Sequence, residues 1–130
     1  MRVLIVLLSL LFLPAFVLAE EVKTPESAIE YLEIGPKFTV NLAGQRKYLM
    51  INVQMMIEGE QNVAKIKKHI PALRHELIML YSGREGADLA SMEQREALRQ
   101  ETIQVIRHTL EKYENSDGFR DAFFTEFLVN

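Results

Sequence analysis

The chain has 130 residues, 48% apolar and 25% charged, with 15 basic against 18 acidic side chains and no cysteine. That length suits one domain of ordinary globular composition, and a net charge of -3 offers no basic footprint for nucleic acid. Without cysteine there is no disulfide, no thiolate metal site and no cysteine nucleophile.

Met1-Arg2 is a short basic start, and the run from Val3 to Ala19 is uncharged, with Ser9 its only polar residue. Val17 and Ala19 at its end complete the pattern of a secretory signal cleaved after Ala19. The alternative is an uncleaved anchor, since at 1.5 Å per residue the run spans roughly 25 Å against a hydrocarbon core of ~30 Å. Both readings of residues 1–19 export the rest of the chain. Removing Arg2 with the leader leaves 14 basic against 18 acidic residues. Residues 20–29, charged and interrupted by Pro25, read as a flexible lead-in, and residues 30–130 as the exported domain.

Within that domain Leu32, Ile34, Phe38, Val40 and Leu42 share one parity. Gly35-Pro36 interrupts the alternation, which predicts a first strand with a kink. Ala43 to Arg46 is a short turn, so Phe38–Leu42 should form a hairpin with the next strand. That strand, Lys47 to Glu58, is the clearest element of the chain. Leu49, Ile51, Val53, Met55 and Ile57 fall on one face, while Met50, Asn52, Gln54, Met56 and Glu58 fall on the other.

After Gly59 the period changes. Val63, Ile66, Ile70, Leu73, Leu77 and Leu80 form one helical stripe, with Pro71 inside it. A mid-helix proline costs ~3 kcal/mol, so the spacing predicts a kink, or two helices meeting at His69–Pro71, with a stop at Ser82-Gly83. Ser91 and Gln94 fit a capping box opening a helix from Met92 to Glu114. Its buried face is expected to hold Leu98, Thr102, Val105, Thr109 and Tyr113, widened by Ile106 and Leu110. The last stretch, Phe119 to Asn130, carries four of the seven phenylalanines and is apolar on both parities. It reads as a strand covered on both sides or used in an oligomer, pairing with Tyr48–Ile57. The order strand, strand, helix, helix, strand is an α+β fold, an antiparallel sheet packed on two helices.

No chemistry-bearing motif stands out. His69 and His75 are six residues apart, about 240° round a helix, so they cannot share a metal there, and with His108 they read as polar-face histidines. Met55 and Met79 read as core filler. There is no Gly-x-Ser-x-Gly elbow, Gly83-x-x-Gly86 is too short for a phosphate loop, and no cofactor motif occurs. No catalytic, cofactor-binding or metal residue is assigned, and the chain reads as a non-enzyme. The one candidate surface is Met50, Asn52, Gln54 and Met56, where two methionines interrupt an otherwise polar strand face and could meet a partner.

Three segments resemble the flagellar basal-body-associated FliL family. They are Leu73-Arg74-His75-Glu76-Leu77-Ile78-Met79-Leu80 running into Ser82-Gly83, then Asp88-Leu89 with Glu93 to Leu98, then Phe124-Thr125-Glu126-Phe127-Leu128-Val129. Tyr31-Leu32 and Phe38 to Leu42 fit as well, so the resemblance covers residues 30–130. It implies a periplasmic, stomatin-like domain without catalysis. The domain would form a homo-oligomeric ring around flagellar stator and basal-body proteins and support swimming, swarming and chemotaxis. It would sit at the inner membrane if residues 3–19 stay uncleaved. The other readings are a general periplasmic scaffold with a stomatin-like fold and a periplasmic ligand-binding domain.

Overall fold

The computed structural model describes residues 28–130, so the leader and nearly all of the lead-in lie outside the described residues. The elements are strands β1 (Ile29–Glu33), β2 (Phe38–Asn41) and β3 (Tyr48–Glu58), helices α1 (Glu60–Lys67), α2 (Ile70–Tyr81) and α3 (Met92–Lys112), and strand β4 (Phe119–Val129). The fold class is α+β, as the change of period requires.

β3 is the centre of an antiparallel sheet. β4 pairs with it from Leu49 to Ile57 and so fills one edge. β1 pairs with Gln54–Glu58 and β2 with Tyr48–Ile51, so these two share the other edge end to end. The kink expected at Gly35-Pro36 is therefore a full break between two short strands, where Ile34 still donates its N–H to the Val53 carbonyl at 2.9 Å. Leu49, Ile51, Val53, Met55 and Ile57 are completely buried beneath the helices.

The helical stripe is also divided. α1 ends at Lys67, α2 starts at Ile70, and Pro71 lies in the first turn of α2, where a missing N–H leaves no bond unmade. Ile66, Leu73 and Leu77 nevertheless share one core with β3, so the two helices stay in phase. The His69 ring stacks on Tyr113 at 4.3 Å and hydrogen-bonds the Asn115 side chain at 2.7 Å, tying the break to the end of α3. His69 is thus a packing residue rather than a polar-face one, and the stacking leaves Tyr113 half exposed instead of in the core. Ser91 and Gln94 form the reciprocal cap that starts α3, with bonds of 3.1 and 3.0 Å. Leu98, Thr102, Ile106, Thr109 and Leu110 are the buried residues of that helix, and Val105 is partly covered. Met79 is 67% exposed, not core filler, because it lies two residues (about 200°) from Leu77 and points away from the sheet.

In β4 the register removes one branch of the expectation, cover on both sides. Its register against β3 shifts twice, so Phe119, Ala122, Phe124, Phe127 and Val129 all stand opposite buried β3 residues. Each shift places one extra residue, Arg120 and then Thr125, and flips the parity of the residues after it. These five are one apolar face read through two bulges, while Phe123 and Leu128 stand opposite Gln54 and Met50 on the other face. The strand is not covered on both sides by the described residues.

Tyr81 closes the core from α2. Its ring meets Phe38 and Phe124 edge-on, at 5.9 and 6.4 Å. Thr102 donates its hydroxyl to the Leu98 carbonyl at 2.8 Å, so the 2.8 Å bond between Tyr81 and Thr102 is donated by Tyr81. Burial pushes the Tyr81 hydroxyl well above its ordinary pKa. Tyr81→Phe removes this donor and is expected to cost ~1 kcal/mol, whereas Thr102→Val strands the buried phenol and is expected to cost about 1–3 kcal/mol. Urea denaturation of both single variants and the double variant would test this. Equal single effects that simply add would contradict the assigned donor.

Candidate functional site: the open face of the sheet

Alternation puts Met50, Asn52, Gln54 and Met56 in one line along the middle of the sheet, on the side away from the helices, each partly buried. Two residues of strand rise about 6.7 Å, so the line is about 20 Å long. Pairing supplies its neighbours. Met56 lies between Tyr31 and Asp121, Gln54 between Glu33 and Phe123, and Met50 between Thr39 and Leu128. Tyr31 is 62% exposed and Leu128 49%, and Ile29 and Phe123 are exposed on the same side. The four predicted residues thus do come together, inside a wider apolar surface. Tyr31, Phe123 and Leu128 were missed because their place beside the methionines depends on strand pairing and on the Thr125 bulge.

An ion pair crosses this face. Glu126 stands opposite Asn52, Lys37 precedes the Phe38–Ile51 pair, and their charged groups are 3.1 Å apart. Beneath them the side-chain carbonyl oxygen of Asn52 is buried without a hydrogen-bond partner among the described residues. A buried acceptor left so costs about 1–3 kcal/mol. A second pair, Arg120 with Glu58 at 2.8 Å, closes the Met56 end.

Arginines close the sides of the sheet. Arg74 of α2 lies over the Phe38 ring at 4.4 Å and donates to the Ile34 and Pro36 carbonyls where β1 and β2 part. Arg99 of α3 lies over Phe123 at 5.5 Å and donates to the Ala122 carbonyl at 2.9 Å and to Asp121 at 2.7 Å. Arg95 over Phe127 and Arg107 over Phe119, at 4.6 and 5.3 Å, complete a row along β4. The signal for it was present in the sequence, as arginines at helical intervals and Phe119, Phe123 and Phe127 four apart. Hydrogen bonds from Arg99 and then Gln100 push the exposed Glu96 carboxyl down to about 2. That contribution is present above the usual carboxylate range and is lost as pH falls towards about 2.

Three shallow, open grooves lie elsewhere. One of about 380 Å³ runs between α2 and α3, one of about 430 Å³ lies beside Pro71, and one of about 340 Å³ lies between the start of α3 and β4. Among the described residues no three His, Asp or Glu side chains gather where a metal could be held. No helix among them is long and apolar enough to cross a membrane.

These features define a small α+β domain with one sheet face under helices and the other bare. The chain belongs to the flagellar basal body-associated protein FliL family, whose model matches residues 31–129. It is similar to the flagellar protein FliL of Aquifex aeolicus (strain VF5), 29% identical over 113 residues, which is 85% of this chain and 67% of that protein. It is also similar to the flagellar protein FliL of Escherichia coli (strain K12), 25% identical over 92 residues, 71% of this chain. The matched stretch spans 60% of the Escherichia coli protein's length.

Proposed function

We propose that this chain is a non-catalytic part of the flagellar basal body that supports motility by binding stator or other basal-body proteins from the periplasm. Copies of it assemble into a ring, and residues 1–19 either direct export or remain as a tether in the inner membrane. The working surface is the bare sheet face around Met50, Asn52, Gln54 and Met56. The observation that carries this reading is the gathering of Ile29, Tyr31, Phe123 and Leu128 with both methionines on that one face. An exposed apolar surface of this kind, rimmed by charges, marks a place where another protein sits. Catalysis would instead require a base and a nucleophile converging in an enclosed pocket, and the grooves are open.

Met50→Glu with Met56→Glu is expected to leave circular dichroism unchanged and melting within a few degrees, since outward positions tolerate charge. In a deletion strain the double variant should restore swimming far less than the wild-type gene does. A deletion strain that swims and swarms like its parent, including under high load, would sink the motor role.

A further inference from the structure

β1, β2 and β4 form the outward edges of the sheet, and the last two are stapled. On β4 two bulges break the line, the Ala122 N–H bonds the Asp121 carboxylate at 2.8 Å, and the Ala122 carbonyl accepts from Arg99 at 2.9 Å. On β2 the Asn41 carbonyl accepts from Gly83 N–H at 2.8 Å. β1 has no such cover. The Ala28 carbonyl and the Ile34 N–H bond to β3, so by alternation Glu30 and Leu32 face β3 as well, and Ile29, Tyr31 and Glu33 turn their backbone groups outward. Glu58, opposite Ile29, gives its own N–H to Gly118 on the far side, as that phase requires. Nothing among the described residues bonds the outward N–H and C=O groups of Ile29, Tyr31 and Glu33. The side chains of Ile29 and Tyr31 are exposed beside them.

We propose that β1 is a pairing edge for a second copy of the chain, the two strands running antiparallel with Tyr31 opposite Tyr31 of the partner subunit. This register uses every free backbone group of both edges: Ile29 pairs with Glu33, Tyr31 with itself, and Glu33 with Ile29, each pair exchanging both bonds. The charges agree with it. Glu30 falls opposite Leu32 and Glu33 opposite Ile29, so no like charges stand directly across from each other. Glu30 and Leu32 lie on the helix side, where a groove of about 430 Å³ runs along β1 past Leu32, Ile70, Pro71 and Lys67. Neither Glu30 nor Lys67 is in an ion pair among the described residues. Glu33 also lines the groove but lies over Gly35, its carboxyl carbon 3.5 Å from where a Cβ would stand there. Glu30 of the partner subunit therefore enters beside Leu32 and meets Lys67. The twofold axis stands perpendicular to the sheet, so the two bare faces join side by side into one surface. The contact closes after two copies, and it stands whether or not the flagellar reading does. Five strand residues a side are few against the roughly 20–30 of a standard interface, so pairing is expected only in concentrated protein.

The test uses residues 20–130, which hold every described element, in concentrated solution. The chain has no cysteine, so single introduced thiols report position. Tyr31→Cys should oxidise to a dimer about tenfold faster than Ile29→Cys or more, because only position 31 meets itself across the axis. By sedimentation equilibrium, Tyr31→Pro should weaken association about tenfold or more, since it removes an N–H that a single copy leaves unbonded. Glu30→Lys and Lys67→Glu should each weaken it severalfold, and the two together should restore it, a rescue that a folding defect would not give. Equal oxidation at positions 29 and 31, or charge swaps that add rather than cancel, overturns the proposal. So does a chain that is monomeric at every concentration, which would leave the β1 edge to a strand of a different protein. Association lost in M50E/M56E but kept in Tyr31→Pro also overturns it and leaves self-assembly on the bare sheet face. The reverse upholds it, and the motor role is judged separately by the deletion strain.

Discussion

Val53→Asp is expected to leave the domain unfolded at neutral pH. Val53 is completely buried at the middle of β3, opposite Phe124, and its carbonyl holds the N–H of Ile34. The substitution loses about 1.5–3 kcal/mol of apolar burial. It also forces a carboxyl into a place with no polar partner, which costs several kcal/mol more whether the group ionises or takes up a proton. Together these approach the typical domain stability of about 5–15 kcal/mol. Burial would hold the new carboxyl's folded pKa above its unfolded one, so the pH-dependent part of the penalty is absent below ~pH 4, grows as pH rises past the unfolded value, and is full only above the raised folded value. Gln54→Asp, one residue on and facing outward, is the control and should stay folded. Circular dichroism and urea unfolding of both would check the pair. A cooperative melt for Val53→Asp near that of the parent would contradict the burial assigned to this strand.

The second large effect is expected at Gly118. Its φ of 86° lies in the left-handed region, and an added Cβ would sit 2.6 Å from the Glu58 carbonyl oxygen and 2.7 Å from the Asn62 Cβ. Those atoms belong to the junction where β3 ends, α1 starts and β4 begins. Glu58 N–H bonds the Gly118 carbonyl at 2.8 Å, and the Asn62 amide bonds the Glu58 carbonyl at the same distance. Gly118→Ala should therefore lose about 2–6 kcal/mol, combining backbone strain of about 1–3 with overpacking of about 1–3. Gly83 separates the two causes. Its φ is 77°, yet nothing lies within 4 Å of an added Cβ, so Gly83→Ala should cost only the strain part. Urea midpoints at matched m-values measure the difference. Equal losses at the two glycines would mean that the crowding at Gly118 relaxes freely.

Much of this architecture could be read in the residues, wherever one face of an element is buried and the other is not. β3 shows its alternation because helices cover only one side of it, and α3 announces its start through a cap made by neighbours in sequence. The reading failed where a single inserted residue changes the phase. Thr125 and Arg120 look like ordinary strand residues, and only the register against β3 reveals them as bulges. Phe123 and Leu128 consequently could not be joined to Met50 and Met56 beforehand. Tyr113 was misplaced for a related reason, because its partner His69 lies 44 residues earlier, at a break that no helical period shows. The four outward β3 residues were legible as a candidate surface, while the ion pair across them joins Lys37 to a residue 89 positions later and could not be.

Because β4 fills the whole second edge of β3, the sheet cannot be completed during synthesis until the final described strand has emerged. By then β3 and its hairpin have been available for about sixty residues of elongation, with one row of backbone donors and acceptors unsatisfied. Until then that open row is a template on which another strand can pair, so the interval before β4 emerges is when the chain is most prone to aggregate.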